Sequence, residues 1–311
     1  MFKRFMACLF ITVLILTGLT SCDGKTGTPT LAKNDFTDQA GRVVHLEALP
    51  QRIISMAPSN TEILFALGLG DKVVGVTDYC NYPPEALDKP KIGGFWTPDI
   101  ETIVSLSPDL VFAQSNHVAE VIPQLEKYGI PVVVLNPKSL DEILGAIILA
   151  GNVTGNTKEA SALVKNMQSR IDRVVNKTKN LPEAQKPNVF FITWHDPLIT
   201  VGSNNFIEDL ICKAGGVNIF HSLEDSPIVS LEDVVLANPD VIIASVGMGT
   251  GEDQTLQFAL NEDRLAETSA RLNDQIYSVL TDIAGRPGPR IVDALEDFLA
   301  AIHPELRDQP N

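Results

Sequence analysis

Residues 99–113 read DIETIVSLSPDLVFA, and residues 230–244 read SLEDVVLANPDVIIA. Aligned without a gap, the second lies 131 residues after the first, and it places Glu101 on Glu232, Pro108 on Pro239 and Asp109 on Asp240. Each copy reads as a capped helix, a Pro-Asp turn and a buried strand. A solenoid repeats at roughly 20–50 residues, so this period belongs to something else. It implies two similar lobes with a cleft between them, each presenting one glutamate at a matched place.

Outward from these copies, both halves follow one grammar. In the first half, Val43–Leu46 reads as a short strand and Arg52–Met56 as a buried one. Ala57-Pro58-Ser59-Asn60 leads into an apolar helix from Thr61 to Leu67, which Ser59 or Asn60 can cap and Gly68 can close. Lys72–Val76 is a strand, 98–107 a helix, 109–113 a strand, Val118–Tyr128 a helix and Pro131–Leu135 a strand. In the second half, Val189–Trp194 is a strand, Phe206–Ala214 a helix, Ile276–Val279 a strand, 281–286 a loop, and Pro289–Ile302 a final helix. Strands alternating with helices through short Gly/Pro joints indicate parallel α/β lobes.

Between the halves, Thr157 to about Asn180 contains no Gly or Pro and carries Leu163, Met167, Ile171, Val174 and Val175 at helical spacing. One helix of roughly 24 residues would span about 36 Å. The expected fold class is α/β: two Rossmann-like lobes of parallel sheet joined by a single long helix. The expected divisions are a signal at 1–21, a flexible tether at 22–33, an N-terminal lobe at 34–156, a linking helix at 157–181 and a C-terminal lobe at 182–311. A stiff connecting helix favours a small rocking motion over large closure.

The chain opens with Lys3 and Arg4, an apolar run from Phe5 to Thr20, and Leu19-Thr20-Ser21-Cys22. The run is short for a membrane span. The stretch resembles a bacterial lipoprotein signal, in which cleavage precedes a lipidated cysteine, here Cys22. Lipid chains would hold the protein on the extracytoplasmic face of the cell membrane, with anchoring that scales at about 0.8 kcal/mol per buried CH₂. Losing residues 1–21 removes two basic residues and no acidic one, so the formal charge of −15 becomes −17. Such a surface repels phosphate backbones, which sets nucleic acid aside as a partner. Cys80 and Cys212 remain, one per lobe, and read as separate thiols. No Cys/His spacing suggests zinc.

The runs RIISMAPSNTEILFALGLGDKVVGVTDYCNYPPEA (52–86), KIGGFWTPDIETIVSLSPDLVFA (91–113), GGVNIF (215–220) and VSLEDVVLANPDVIIA (229–244) carry a family likeness. They resemble the periplasmic substrate-binding proteins of helical-backbone ABC importers, most closely the cobalamin-binding branch, with iron-siderophore and haem binders as cousins. The likeness covers nearly all of residues 50–302. It implies a monomer without cofactor that holds one transported ligand, cobalamin or another corrinoid, in the cleft and delivers it to a permease dimer with separate ATPase subunits. It also implies that Glu101 and Glu232 dock to permease arginines. As residues alone, both glutamates also complement helix dipoles, worth about 0.3–1 kcal/mol each.

Ligand loops are expected at the C-terminal ends of the parallel strands. Pro58, Ser59 and Asn60, then Tyr79, Trp96, Trp194, Asp282 and Arg286 occupy such places and are the candidate ligand-binding residues. Flat aromatic surfaces suit a planar macrocycle, and Arg286 can bond peripheral polar groups or pair with Asp282. The cobalamin branch carries an aromatic where Ile283 stands, a departure that weakens the ligand assignment. Haem or a ferric siderophore is the alternative ligand. A metal ion is a weaker alternative, because His45, His117, His195, His221 and His303 are scattered. No GxxxxGK[ST] loop or GxSxG elbow is present, so neither ATP hydrolysis nor hydrolase chemistry is expected, and the chain reads as a binder rather than an enzyme.

Overall fold

The computed structural model describes residues 34–247 and 253–306. The signal, the tether, Cys22 and part of the Gly247–Asp253 loop lie outside the described residues. The chain opens with an antiparallel ribbon, β1 (Asp35–Thr37) on β2 (Val43–His45). It continues through β3 (Ile53–Ser55), α1 (Pro58–Ala66), β4 (Val73–Val76), α2 (Ile100–Ser105), β5 (Leu110–Ala113), α3 (Val121–Lys127) and β6 (Val132–Val134). These strands form a parallel sheet ordered β4-β3-β5-β6.

Two helices follow, α4 (Leu140–Thr154) and α5 (Thr157–Thr178). The second half runs β7 (Asn188–Ile192), β8 (Trp194–His195), β9 (Leu198–Ile199), α6 (Phe206–Lys213), β10 (Val217–Asn218), α7 (Leu231–Ala237), β11 (Val241–Val246), α8 (Gln254–Asn261), α9 (Ser269–Leu272), β12 (Ile276–Leu280), α10 (Thr281–Ala284) and α11 (Ile291–Ile302). Its parallel sheet is ordered β10-β7-β11-β12, the same order as the first with β7 in the place of β3. The fold is therefore the expected two-lobed α/β architecture.

The two sequence copies fall on α2–β5 and α7–β11, and their matching has local causes. Asp99 caps α2 by accepting from Thr102 N–H, and Ser230 caps α7 by accepting from Asp233 N–H. The Ser230 hydroxyl in turn donates to the Asp233 carboxylate. Beyond each helix, directly before the proline, stands a residue with a left-handed backbone, Ser107 (φ 48°) after α2 and Asn238 (φ 46°) after α7. After the turn, the repeated aspartate grips the start of the neighbouring strand. Asp109 accepts from the Gln51 and Arg52 amides at 2.8 and 2.9 Å, and Asp240 accepts from the Asn188 amide at 2.9 Å. The shared Pro-Asp is thus a joint that fixes sheet register.

Three hydrophobic clusters hold the molecule. One lies on the outer face of each sheet, around Ile54 and Val111 in the first and Phe190 and Ile242 in the second. The third is continuous through both lobes and includes Ile63 of α1, Ile147 of α4, Met167 and Ile171 of α5, Leu210 of α6 and Phe298 of α11. The inner faces of both sheets share this core. Helix α5 contributes Ala160, Met167, Ile171, Val174 and Thr178, one buried stripe at helical spacing. Leu163 and Val175 are only partly buried beside it. At its N-terminus Asn156 donates to Leu67 O, and at its C-terminus Thr178 donates to Lys213 O. Arg170 pairs with Asp293 and Glu296 of α11.

The structure departs from the sequence reading in several places. Helix α1 starts at Pro58 with Ala57 as its cap residue, so Ser59 and Asn60 are buried inside the first turn rather than capping it. Proline suits that first position, where no N–H is needed. Helix α4, which the sequence reading did not separate from the first lobe, precedes the linking helix α5 and packs along it. Gly155, with φ of 80°, turns the chain between them. Residues 281–284 form one helical turn rather than a loop, and α8 and α9 lie between β11 and β12, a stretch the sequence reading left unassigned. Cys80 is buried and Cys212 exposed, and both are free.

Candidate functional site

A cleft of about 530 Å³ lies between the lobes, open to solvent on one side. Its first wall comes from the C-terminal ends of the first sheet: Pro58 and Ser59 after β3, Tyr79 after β4, Phe95 and Trp96 before α2, Gln114 after β5, and Asn136, Pro137 and Lys138 after β6. Its second wall is Asn205 and Phe206 at the start of α6, with Thr281, Asp282, Gly285, Arg286 and Pro287 after β12. Clefts at the carboxyl ends of parallel strands are where such folds hold ligands, and the volume lies within the usual range of about 300–1,000 Å³.

Six of the eight candidate residues meet here: Pro58, Ser59, Tyr79, Trp96, Asp282 and Arg286. Trp96 and Tyr79 are 71% and 60% exposed, an unusual display of aromatic surface to water. Asn60 is buried and donates to Ala113 O, tying α1 to β5 behind the cleft wall. Trp194 is not among the lining residues. It sits in the β8–β9 hairpin, where its indole N–H donates to Asp196 O and its ring lies 4.9 Å from that of His195. The hairpin occupies the end of β7, so the chain reaches the cleft only afterwards, at Asn205 and Phe206.

A buried histidine supports the aromatic loop. His117 accepts from Gln114 N–H at 3.1 Å through Nδ1, and its Nε2 lies 2.7 Å from Phe95 O. This pattern requires the neutral ring with its proton on Nε2. Burial holds its pKa below the usual 6.5, against the opposing pull of the Phe95 and Gln114 backbone contacts. The ring also meets Phe95 edge-on at 5.5 Å, and Phe95 meets Trp96 at 5.0 Å. Gln114 donates onward to the Ser59 hydroxyl. Trp96 is thereby presented on a braced loop.

Arg286 does more than pair with Asp282. One end of its guanidinium lies 2.5 Å from the Asp282 carboxylate, and the other reaches Asn81 at 2.7 Å and Glu62 at 3.3 Å. Glu62, on α1, also receives Arg290 in a two-pronged pair at 2.6 and 2.9 Å. The Glu62 pair raises the Arg290 pKa further. The other cation on the cleft wall, Lys138, lies 3.4 Å from Asp225. Glu101 and Glu232 occupy the same second position of α2 and α7, and both are exposed. Glu232 has Arg264 at 3.5 Å.

Sequence reasoning missed Phe95, Gln114, Asn136, Lys138, Asn205 and Phe206. Asn136 and Lys138 follow β6, so the strand-end rule applied to that strand would have found them. Glu62 gave a weaker signal: a lone acid within an apolar helix. Among the described residues, no helix is long and apolar enough to cross a membrane, and no group of three or more His, Cys, Asp or Glu side chains could hold a metal ion.

Residues 53–281 match the family described as periplasmic binding protein. A substrate-binding lipoprotein of Bacillus subtilis, the uncharacterized ABC transporter protein YvrC, is 32% identical over 279 residues, 86% of this chain and 85% of its own. The chain belongs to the periplasmic binding protein family. Like its relatives in this family, it is an extracytoplasmic substrate-binding protein of ABC transport and not an enzyme. Among solved structures, the periplasmic vitamin B12-binding protein of Vibrio cholerae is 30% identical with a TM-score of 0.73, over 84% of this chain and 99% of that one. The periplasmic heme-binding protein of a Roseiflexus species, in apo form, is 28% identical with a TM-score of 0.72, over 82% and 99%.

Proposed function

We propose that this periplasmic binding protein captures cobalamin or another corrinoid between its lobes and delivers it to a membrane permease driven by separate ATPase subunits. The observation that carries the reading is the cleft wall itself: exposed Trp96 and Tyr79 beside neutral polar groups on Ser59, Gln114, Asn136 and Asn205. A flat, largely apolar macrocycle with an amide rim matches that surface. Stacking on Trp96 would contribute about 0.5–1.5 kcal/mol beyond the area buried. Likeness to the vitamin B12-binding protein of Vibrio cholerae supports the same ligand. Pro58, Ser59, Tyr79, Trp96, Asp282 and Arg286 are proposed to meet it. Asn60 lies behind the wall and Trp194 in the neighbouring hairpin, and neither belongs to the proposed contact set.

Haem or a ferric siderophore is the second reading, favoured by the exposed Tyr79 phenol and by likeness to the Roseiflexus heme-binding protein. Glu101 and Glu232 are proposed to meet arginines of the permease, and rim charges of this kind steer and orient association. Cys22 is the proposed lipid attachment, which would hold a monomer on the extracytoplasmic face of the membrane. The test is a tryptophan-fluorescence titration of the mature protein with cyanocobalamin and with haemin. Saturable quenching by cyanocobalamin at micromolar concentration supports the corrinoid reading, and a response to haemin alone replaces it with the haem reading.

A further inference from the structure

The most deeply buried acid near the cleft is Glu62, whose side chain is 1% exposed. It sits at the centre of a clasp built from both lobes. The first lobe supplies Glu62, Asn81 and Tyr82. The second supplies Asp282, Arg286 and Arg290. Arg290 makes the two-pronged pair with Glu62 and lies 3.9 Å over the Tyr82 ring. Arg286 bridges Glu62, Asn81 and Asp282, and Asn81 donates back to Asp282 at 2.9 Å. Two carboxylates therefore match two guanidiniums, and the cluster is neutral.

Arg286 and Asp282 are the part of this clasp that faces the ligand cleft, whereas Glu62 and Arg290 face a second groove of about 830 Å³ on the other side. The cleft wall carries the pair Arg286–Asp282 at 2.5 Å, while Glu62 balances Arg290 behind it and reaches Arg286 at 3.3 Å. The geometry points to Glu62 as a specificity-determining residue: by cancelling the guanidinium charge behind the wall, it makes the cleft accept a planar ligand with an uncharged hydrogen-bonding rim and disfavour one carrying carboxylates. Ser59, Gln114, Asn136 and Asn205 supply neutral partners for such a rim. The inference rests on the ligand reading above only for the identity of the neutral ligand.

The experiment measures dissociation constants of the mature chain and its variants for cyanocobalamin, haemin and haemin dimethyl ester at low salt. Glu62→Gln keeps the shape and removes one negative charge, and Asp282→Asn does the same at a half-exposed position that folding tolerates more readily. Both variants should tighten haemin relative to the two uncharged-rim probes by about tenfold, and added salt should erase the gain. Glu159→Gln, an exposed charge on α5, should leave the ratios unchanged. Ratios that stay within about twofold in both variants, or that fall equally for charged and neutral probes, overturn the inference. If cyanocobalamin fails to bind the unsubstituted chain, the corrinoid reading falls alone, and haemin against its dimethyl ester still decides the role of Glu62.

Discussion

The two lobes have the same strand order and the same Pro-Asp joint, yet they face the cleft with different chemistry. The first lobe brings mostly aromatic rings and neutral polar groups, Tyr79, Phe95, Trp96, Gln114 and Asn136, with Lys138 as its one charged lining residue among the described residues. The second brings Asp282 and Arg286, with Phe206. Their interiors differ as well. Among the described residues, the buried acids Asp38 and Glu62 both belong to the first lobe. After β3 the first lobe enters α1 directly, whereas after β7 the second inserts the β8–β9 hairpin. Repeated residues are the ones that hold register. The residues that would meet a ligand lie outside the repeat and have diverged.

The largest effect on this comparison should come from Glu62→Ala. It leaves two guanidiniums facing each other without their shared carboxylate, and losing one partner of a buried pair costs about 3–5 kcal/mol. Urea denaturation of the mature chain measures it, and a cost below about 1 kcal/mol would mean that the clasp does not hold the lobes together. The register joint comes next. Asp109 accepts two strand-start amides and Asp240 one, so Asp109→Ala should cost about 1–3 kcal/mol and Asp240→Ala roughly half as much. Equal losses would break the assignment.

A smaller effect should distinguish the two helix ends. Asn238 tolerates the left-handed backbone better than Ser107 does. Ser107→Gly should therefore stabilise by up to about 1 kcal/mol, whereas Asn238→Gly should destabilise by about 1 kcal/mol, because it removes the side-chain bonds to the Ser269 amide and hydroxyl. The last contrast is with pH. His117 supports the first wall only as a neutral ring, and its pKa is lowered on folding by burial. Its contribution is complete above the unfolded value of 6.5 and is lost as pH falls through the lower folded value. Stability followed by denaturation between neutral and mildly acidic pH should decline less steeply in His117→Phe than in the unsubstituted chain.

Much of the architecture could be read from the chain because each lobe states it in short, periodic words. The buried strands, the capped helices α2 and α7, and the stripe of α5 all follow from local pattern. Helix α4 escaped although Leu140, Ile143, Leu144 and Ile147 fall on one face opposite exposed Asp141, Glu142 and Asn152, because Ile148 and Leu149 extend the apolar run beyond that face and blur the period. The cap of α1 was misread because Pro58 can begin a helix as readily as precede one. Trp194 looked like a cleft residue because its strand ends where cleft residues belong. Only the three-dimensional path shows the hairpin that intervenes. The clasp was invisible for a different reason: Glu62 and Arg290 are 228 positions apart, and nothing local in either signals the other.

The central claim is that the interlobe cleft, with Trp96 on its wall, is where a corrinoid binds. Calorimetric titration of cyanocobalamin into the mature chain and into Trp96→Ala and Trp194→Ala tests it directly. The account predicts one site, weakened by Trp96→Ala by about tenfold and left nearly unchanged by Trp194→Ala. No binding to the unsubstituted chain, or equal losses in the two variants, would contradict it.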